Sequence, residues 1–483
     1  MIYLNRFLPL IIFSLLSILR FDLKVWDDND SVAYMNLAKS IVEYHNYLSI
    51  YIKEMPPHIH FPPGFPLLLA PLYAVFGINE LALKMLPLIS NIIAFFILTL
   101  LIRNFYILLV LSTSPLLISH SSKLLSEGHY LMFSLLSIYL FINRRYLSSS
   151  IFSGFSYLIR TSGISLIGSF LLYLLLKRNF KAFLMFLIIS LIFILPWQIW
   201  TFIHENPYEV NFYPPYFEQL ISKVQLRPEF GYISIYDFAL RPLKNFINYW
   251  FVLIPKSIFN VKIGLGLFIV GILLFIGFVY GFLKEKNEEY SIIKLYTILY
   301  FALMFMWPEE WKYSRFVIPV LPFVVYFSFI SLKHINEKVF KFVCIFVFAF
   351  NFIVNLRYAP LRMKEFATYM KGDIYLLYEP SFSNYLKAIH YIQKNIPKDK
   401  SVVSRIPHTV YLISGNRGGT RKFSNNTDSI ILYLKNYDYV LVAPSLSELD
   451  KKYLFKPILK NAQHFKLIYQ TEEPKVYLFE VVK

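Results

Sequence analysis

The sequence predicts a polytopic α-helical membrane protein with about eleven transmembrane helices, followed by a soluble α/β domain at the C-terminus. Three observations lead to this fold class. Of the 483 residues, 57% are apolar and 19% aromatic, whereas only 16% are charged, and average soluble domains carry about 25% charged residues. Apolar runs approaching the length of about 20 residues that crosses a bilayer recur up to residue 357. Beyond residue 358, strand-like and helix-like segments alternate instead.

The predicted spans follow the apolar runs in order. The first run begins at Phe7 and lacks a small-residue cleavage site, so it is interpreted as an uncleaved helix with a cytoplasmic N-terminus. The predicted spans are residues 5–22, 79–102, 105–119, 128–143, 147–161, 163–177, 181–203, 262–283, 290–307, 315–332 and 338–357.

The charge distribution predicts the orientation in the cell membrane. The chain has 48 Lys and Arg against 30 Asp and Glu, a net charge of +18. Nucleic-acid binding is not favoured, because many basic residues lie in short connections between alternate spans, which is the positive-inside pattern. An odd number of spans places the tail outside. The basic connections contain Arg103, Arg144, Arg145, Lys177, Arg178, Lys181, Lys284, Lys286, Lys333 and Lys338.

Two domains are therefore expected: a membrane domain over residues 1–357, with long outside loops at 23–78 and 204–261, and an extracytoplasmic α/β domain over 358–483. In the first loop, apolar spacing predicts a helix over 31–44 that lies on the membrane surface, and residues 66–76 predict a second. The second loop is rich in aromatic residues, which favour the interface. In the tail, strands are predicted at 402–404, 437–442, 466–469 and 476–481, and helices at 385–395 and 447–454.

Polar residues that face the predicted outside are the candidates for chemistry. Asp27, Asp28 and Asp30 follow the first span; a simple alternative is that a carboxylate there caps the following helix. Glu127 lies between the third and fourth spans, where a helix N-terminus would also favour it. Arg160 and Arg315 lie at outer ends of spans. Each would suit a phosphate, or would simply extend to the interface.

The segment PPHIHFPPGFP, residues 56–66, predicts a rigid extended loop because proline fixes φ. His58 and His60 alternate there and could bind a divalent metal. Two histidines without a third ligand are weak evidence, so no metal site is predicted. The single cysteine, Cys344, excludes an intrachain disulfide.

Several function classes lack their signatures. The sequence contains no P-loop, no dinucleotide fingerprint and no G-x-S-x-G elbow. Charges are rare in mid-membrane, which weakens the case for an ion-coupled transporter. A transporter or flippase of lipid-linked glycans stays open as an alternative, as does a non-catalytic scaffold.

Three stretches in a common order resemble the GT-C superfamily of membrane glycosyltransferases: DSVAYMNLAKSI (30–41), FPPGFPLLLAPLYAVFG (61–77) and LIRTSG (158–163). LLSEGHY (124–130) and SRFVIPVLP (314–322) add to the resemblance. Within the superfamily the chain most resembles the protein O-mannosyltransferase family, glycosyltransferase family 39, and relatives such as the aminoarabinose transferases.

This resemblance implies an enzyme that transfers a sugar from a polyprenyl-phosphate donor, of the dolichyl phosphate type, to a hydroxyl of a protein, lipid or glycan acceptor, with inversion. Asp30 matches the catalytic base, with Asp28 as the alternative because Ser31 stands where relatives often have Glu. Glu127 matches the second acidic position. Arg315 is the expected phosphate partner, and Tyr34, His60 and Arg160 are also expected to bind substrate. Apart from membrane lipid, no further partner or cofactor is implied.

Overall fold

A computed structural model of the chain describes residues 4–208, 216–224, 227, 230–260 and 264–482. Helices form most of this structure, and a small sheet lies near the C-terminus. The α-helices are α1 Leu4–Leu19, α2 Asn29–Tyr44, α3 Gly64–Phe76, α4 Glu80–Leu101, α5 Phe105–Ser112, α6 Pro115–His120, α7 Ser126–Ile142, α8 Tyr146–Ile159, α9 Ile164–Leu176, α10 Phe180–Ile203, α11 Tyr216–Ile221, α12 Ile235–Asn248, α13 Ile254–Phe259, α14 Leu265–Lys284, α15 Glu289–Met306, α16 Leu321–Ile335, α17 Glu337–Leu356, α18 Ala359–Met370, α19 Pro380–Asn395, α20 Pro407–Ser414, α21 Thr427–Leu434, α22 Glu448–Asp450 and α23 Lys456–Lys460.

The membrane character of the helical part is confirmed. Within the described residues, five helical segments are long and apolar enough to span a bilayer: α4, α10, α14, α15 and the segment Glu337–Met370. Shorter apolar helices accompany them at Phe7–Leu19, Gly64–Phe76, Thr161–Leu176 and Leu321–Ile335. Most predicted spans coincide with helices, whereas the count of eleven and the division at residue 357 stay predictions.

The third predicted span, 105–119, is wrong as a single helix. It divides into α5 and α6, which are separated by Thr113 and Ser114. Pro115 begins α6, and a proline has no N–H with which to continue the preceding helix. The break leaves α6 as a separate helix of six residues, which precedes the segment that contains Glu127.

The helix predicted on the membrane surface is instead a buried helix. Every residue of α2 from Ser31 to Ala38 is buried. Small residues such as Ala33 and Ala38 allow close packing, and α2 lies against α3. The predicted helix is present, but its apolar side packs against other helices of the protein instead of lying on the membrane surface.

The second long loop, 204–261, is described only in part. Its described residues form α11, α12, a π-helical turn at Tyr249–Leu253 and α13. Ile235 and Tyr236 of α12 are largely exposed, whereas Arg241 is buried. The location of this loop at the membrane interface stays a prediction.

The C-terminal region contains a five-stranded mixed sheet with the order β2-β1-β3-β5-β4. The four predicted strands are present, but β2 and helices α20 and α21 were not predicted. The strand β2 consists of two glycines, which give no alternating apolar pattern that could predict a strand. The strands are β1 Val402–Val403, β2 Gly418–Gly419, β3 Tyr439–Val442, β4 Phe465–Gln470 and β5 Tyr477–Val481.

The sheet is joined to the first long loop. The N–H of Gly418 donates to the carbonyl of Tyr51 at 2.9 Å, and Ile52 forms an isolated parallel bridge with Gly418. A Cβ on Gly418 would lie 1.8 Å from the carbonyl oxygen of Val402, so this approach requires glycine. Arg417 adds a hydrogen bond from Nε to the carbonyl of Ile50. The C-terminal domain and the loop that follows α2 are therefore held together.

Candidate active site

The aspartates that follow α1 divide into two roles. Asp28 is the N-cap of α2, since its Oδ1 accepts from the backbone N–H groups of Asp30 and Ser31. Asp30 lies in the first turn of α2, and its Oδ2 accepts from Nη2 of Arg315 at 2.8 Å. The cap anticipated as a simple alternative thus exists, but it is made by Asp28, and the carboxylate of Asp30 is directed elsewhere.

Two arginines and Glu127 complete an ionic cluster with Asp30. Oε1 of Glu127 lies 2.8 Å from Nη1 of Arg160 and 3.5 Å from Nε of Arg315. The Glu127 side chain is 2% exposed, whereas that of Asp30 is 25% exposed. Glu127 is therefore a buried counter-charge for both guanidinium groups, and Asp30 is the carboxylate that a substrate can reach.

Helix geometry positions Glu127. It lies in the first turn of α7, where free backbone N–H groups and the helix dipole favour a carboxylate. The expectation of a helix N-terminal charge is therefore consistent with the structure, and the same geometry brings Glu127 to the arginines.

Ser126, which the sequence did not single out, connects two predicted site residues. Its Oγ accepts from Tyr34 Oη at 3.2 Å and from Nη1 of Arg160 at 2.9 Å. Burial raises the pKa of Tyr34, and the charge of Asp30 acts in the same direction. Tyr34 therefore stays protonated and donates a hydrogen bond through its hydroxyl group. The position of Ser126 directly before Glu127 in the sequence could have identified it as a site residue.

A cavity of about 360 Å³ opens beside this cluster. Asp30, Tyr34, His60, Arg160 and Arg315 line it together, so five of the six predicted site residues share one wall. Glu127 lies behind them. Sequence reasoning missed the aromatic part of the lining, because aromatic residues are common throughout this chain; the additional lining residues include Trp307, Trp311, Tyr313, Phe316 and Tyr216.

The two histidines of the proline-rich loop do not form a metal site. Nε2 of His58 accepts from the backbone N–H of Phe61 at 2.9 Å, and Nδ1 of His58 lies 3.1 Å from Oγ of Ser49. The ring of His60 stacks on Tyr216 at 5.1 Å between centroids. In the described ranges, no group of three or more His, Cys, Asp or Glu side chains is arranged to hold a metal ion. His58 fixes the loop, and His60 lines the cavity.

Two histidines near Glu127, His120 and His129, form hydrogen bonds to backbone carbonyl groups. His129 is buried against Phe65, with ring centroids 4.4 Å apart, and Nδ1 donates to the carbonyl of Leu125. His120 has Nδ1 3.0 Å from the carbonyl of Leu116.

Fold and site together define a class: a multi-span helical membrane protein with a C-terminal mixed-sheet domain and a charged, aromatic cavity in the helical part. Among solved structures, the chain is similar to ArnT from Cupriavidus metallidurans in the apo state. The TM-score is 0.63 at 10% identity, and the match covers 99% of this chain and 97% of that chain. The same enzyme bound to undecaprenyl phosphate matches with a TM-score of 0.59 at 12% identity and the same coverage.

These likenesses confirm the predicted resemblance at the level of the fold, since ArnT is an aminoarabinose transferase of the GT-C type. Neither a protein-family model nor a curated protein sequence matches this chain. The chain therefore has an ArnT-like fold.

Proposed function

We propose that the protein is a glycosyltransferase that moves a sugar from a polyprenyl-phosphate donor to an acceptor hydroxyl at the outer face of the membrane. The observation that carries this proposal is the Asp30–Arg315 pair, which lies in a cavity that Arg160 also lines. A reachable carboxylate beside two guanidinium groups supplies both the base and the anion partners that the reaction requires.

The proposed chemistry is a single displacement. Asp30 takes the proton of the acceptor hydroxyl as its oxygen forms a bond to the anomeric carbon. The bond between that carbon and the phosphate oxygen breaks, and polyprenyl phosphate leaves with the electron pair. The leaving group is already a stable anion, so it needs positive charge rather than a general acid. Attack opposite the leaving group inverts the anomeric centre.

Arg315 has a double role in this proposal. Its Nη2 donates a hydrogen bond to Oδ2 of Asp30. A donor phosphate would compete for the same guanidinium and would leave Oδ2 free to accept a proton. Arg160, held by Ser126 and Glu127, supplies a second positive group. Donor binding and exposure of the base are thus coupled through one side chain.

The surroundings suit a lipid-linked sugar. Trp311, Tyr313 and Phe316 give the cavity aromatic faces, which pack against the less polar face of a sugar ring. The complex of ArnT with undecaprenyl phosphate supports a polyprenyl-phosphate partner here. A hexosyl group on a carrier of the dolichyl phosphate type, as in the O-mannosyltransferases, is the donor that we propose.

The test uses the purified full chain in lipid vesicles with radiolabelled undecaprenyl- and dolichyl-phosphate sugars, and with membrane extract as the source of acceptors. We expect label to appear in a glycosidic product that depends on Asp30. The Asp30→Asn variant is the matched control, because asparagine preserves the size of the side chain.

The same vesicles also test the alternative function. A flippase of lipid-linked glycans would move labelled donor between leaflets without forming a glycosidic bond. Transport of this kind without product would refute the enzyme assignment.

A further inference from the structure

A second, polar cavity lies on the other side of the Asp30–Arg315 pair. Its volume is about 610 Å³, and Asp30, Tyr313 and Arg315 line both cavities. Its remaining walls come from the segment after α1, the connection between α6 and α7, and Arg405 of the C-terminal region. The base of the proposed reaction therefore faces two separate spaces.

Most charges in this polar cavity are already compensated. Asp22 lies 3.2 Å from Nη1 of Arg362, and Lys24 lies 3.3 Å from Glu365. Asp28 caps α2 with its carboxylate. Asp27 is exposed to solvent at the rim. Asp22, Lys24 and Asp28 are therefore engaged by the protein itself.

Two cations remain, Lys123 and Arg405. Among the described residues, no carboxylate oxygen lies within ion-pair distance of either side chain. Nη1 of Arg405 donates to the carbonyl of Leu446 at 2.7 Å, which orients the guanidinium without neutralising it. Lys123 interacts with the charge of Asp28 and Arg405 with that of Asp450 at longer range, but neither forms an ion pair, so both keep N–H donors for an anion.

We propose that this cavity, which we term the polar cavity, is the acceptor site, and that Lys123 and Arg405 bind an anionic oxygen group, such as phosphate, that the acceptor carries near its reacting hydroxyl. The inference rests on the proposed function. An inverting displacement needs the nucleophile and the leaving group on opposite faces of the anomeric carbon. With the donor on the aromatic side, the acceptor must approach from the polar side, where Asp30 can reach its proton.

The test measures anion binding without relying on turnover. The full chain in phosphatidylcholine nanodiscs is first saturated with undecaprenyl phosphate, which occupies the donor site. The thermal unfolding midpoint is then followed against inorganic phosphate at constant ionic strength. We compare wild type with Lys123→Gln/Arg405→Gln and with the control Lys53→Gln/Lys466→Gln, which removes two exposed lysines outside the cavity.

We expect phosphate to raise the midpoint of the wild type and of the control in a saturable way. The double variant should need at least about tenfold more phosphate, equivalent to about 1.4 kcal/mol, because both charged contacts to the anion are lost. Arg405→Lys keeps the charge and should respond nearly as the wild type does, which separates charge from folding. A double variant with the wild-type response, or a wild type without any response, would overturn the inference.

Two further measurements separate the possible failures. If undecaprenyl phosphate itself leaves the midpoint unchanged, the proposed donor, and with it the proposed function, fails. Repeating the titration with phosphatidic acid in the nanodisc distinguishes a lipid-borne anion from a soluble one, since the double variant should lose the response to whichever the site accepts. With an active acceptor in hand, the double variant should raise the KM for acceptor and leave the KM for donor unchanged.

Discussion

Replacing Asp30 with asparagine should abolish most turnover while the protein stays folded. The amide keeps the size of the side chain and an oxygen that can accept from Arg315, which is 2.8 Å away in the wild type. It cannot take the proton of the acceptor. General-base catalysis contributes about 10²–10⁴-fold, so kcat should fall by at least about 100-fold, equivalent to roughly 2.7 kcal/mol in the activation free energy.

Asp28→Asn is the matched control, two residues away. Asp28 contributes the N-cap of α2 through Oδ1, and asparagine caps helices about as well as aspartate. We therefore expect this variant to retain kcat within a few-fold. The assay is the initial rate of sugar transfer at saturating donor, measured beside the thermal unfolding midpoint of each variant.

Two outcomes would refute the reasoning. An active Asp30→Asn variant beside an inactive Asp28→Asn variant would assign the base to Asp28. Full activity in both variants would remove the carboxylate from the mechanism altogether. A large fall in the unfolding midpoint of Asp30→Asn would show instead that its ion pair serves stability.

Three other predictions follow from the same residues. Glu127→Gln removes the buried counter-charge of two guanidiniums, and breaking a buried ion pair costs about 3–5 kcal/mol; we expect a lower unfolding midpoint but undiminished binding of undecaprenyl phosphate, and weaker binding would contradict this role. Burial, followed by the charge of Asp30, raises the pKa of Asp28 to about 6 from an ordinary 3.8. Because the folded state then holds the proton more tightly, the contribution of Asp28 to stability falls as the pH rises between these values. In the Asp28→Asn variant, the thermal unfolding midpoint should depend less on pH between these two values. The same pH dependence in the variant and the wild type would contradict a raised pKa of Asp28. In a Cys344→Ser background, a cysteine at Asn426 should react with an impermeant thiol reagent from outside and one at Arg178 should not; the reverse pattern would invert the proposed orientation.

The sequence alone determined the membrane class and much of the helical order. Apolar runs are continuous in the sequence, so most helices of the structure lie close to the predicted spans and differ from them mainly at their ends. The sequence also placed Asp30, Glu127, Arg160 and Arg315 at the outer ends of predicted spans or in the outside loops. The orientation inferred from basic connections is a prediction of the same kind.

Local signals failed where a longer context decides the outcome. The break before Pro115 divides a stretch that has apolar residues on both sides, so the stretch was predicted to be one span. The helix over 29–44 has the spacing of a surface helix, yet α3 covers it. The strand β2 needs Gly418 because of the close carbonyl of Val402, a contact that exists only after the sheet has assembled.

The tertiary structure alone decided which aspartate faces the arginines. Asp28 and Asp30 are equivalent in a linear pattern, but capping turns the first carboxylate towards the backbone of α2 and leaves the second for Arg315. Arg315 is 285 positions further along the chain. Apolar burial depends on composition that any window of sequence reveals, whereas an ion pair depends on the direction of two side chains, which is fixed only when distant helices pack together.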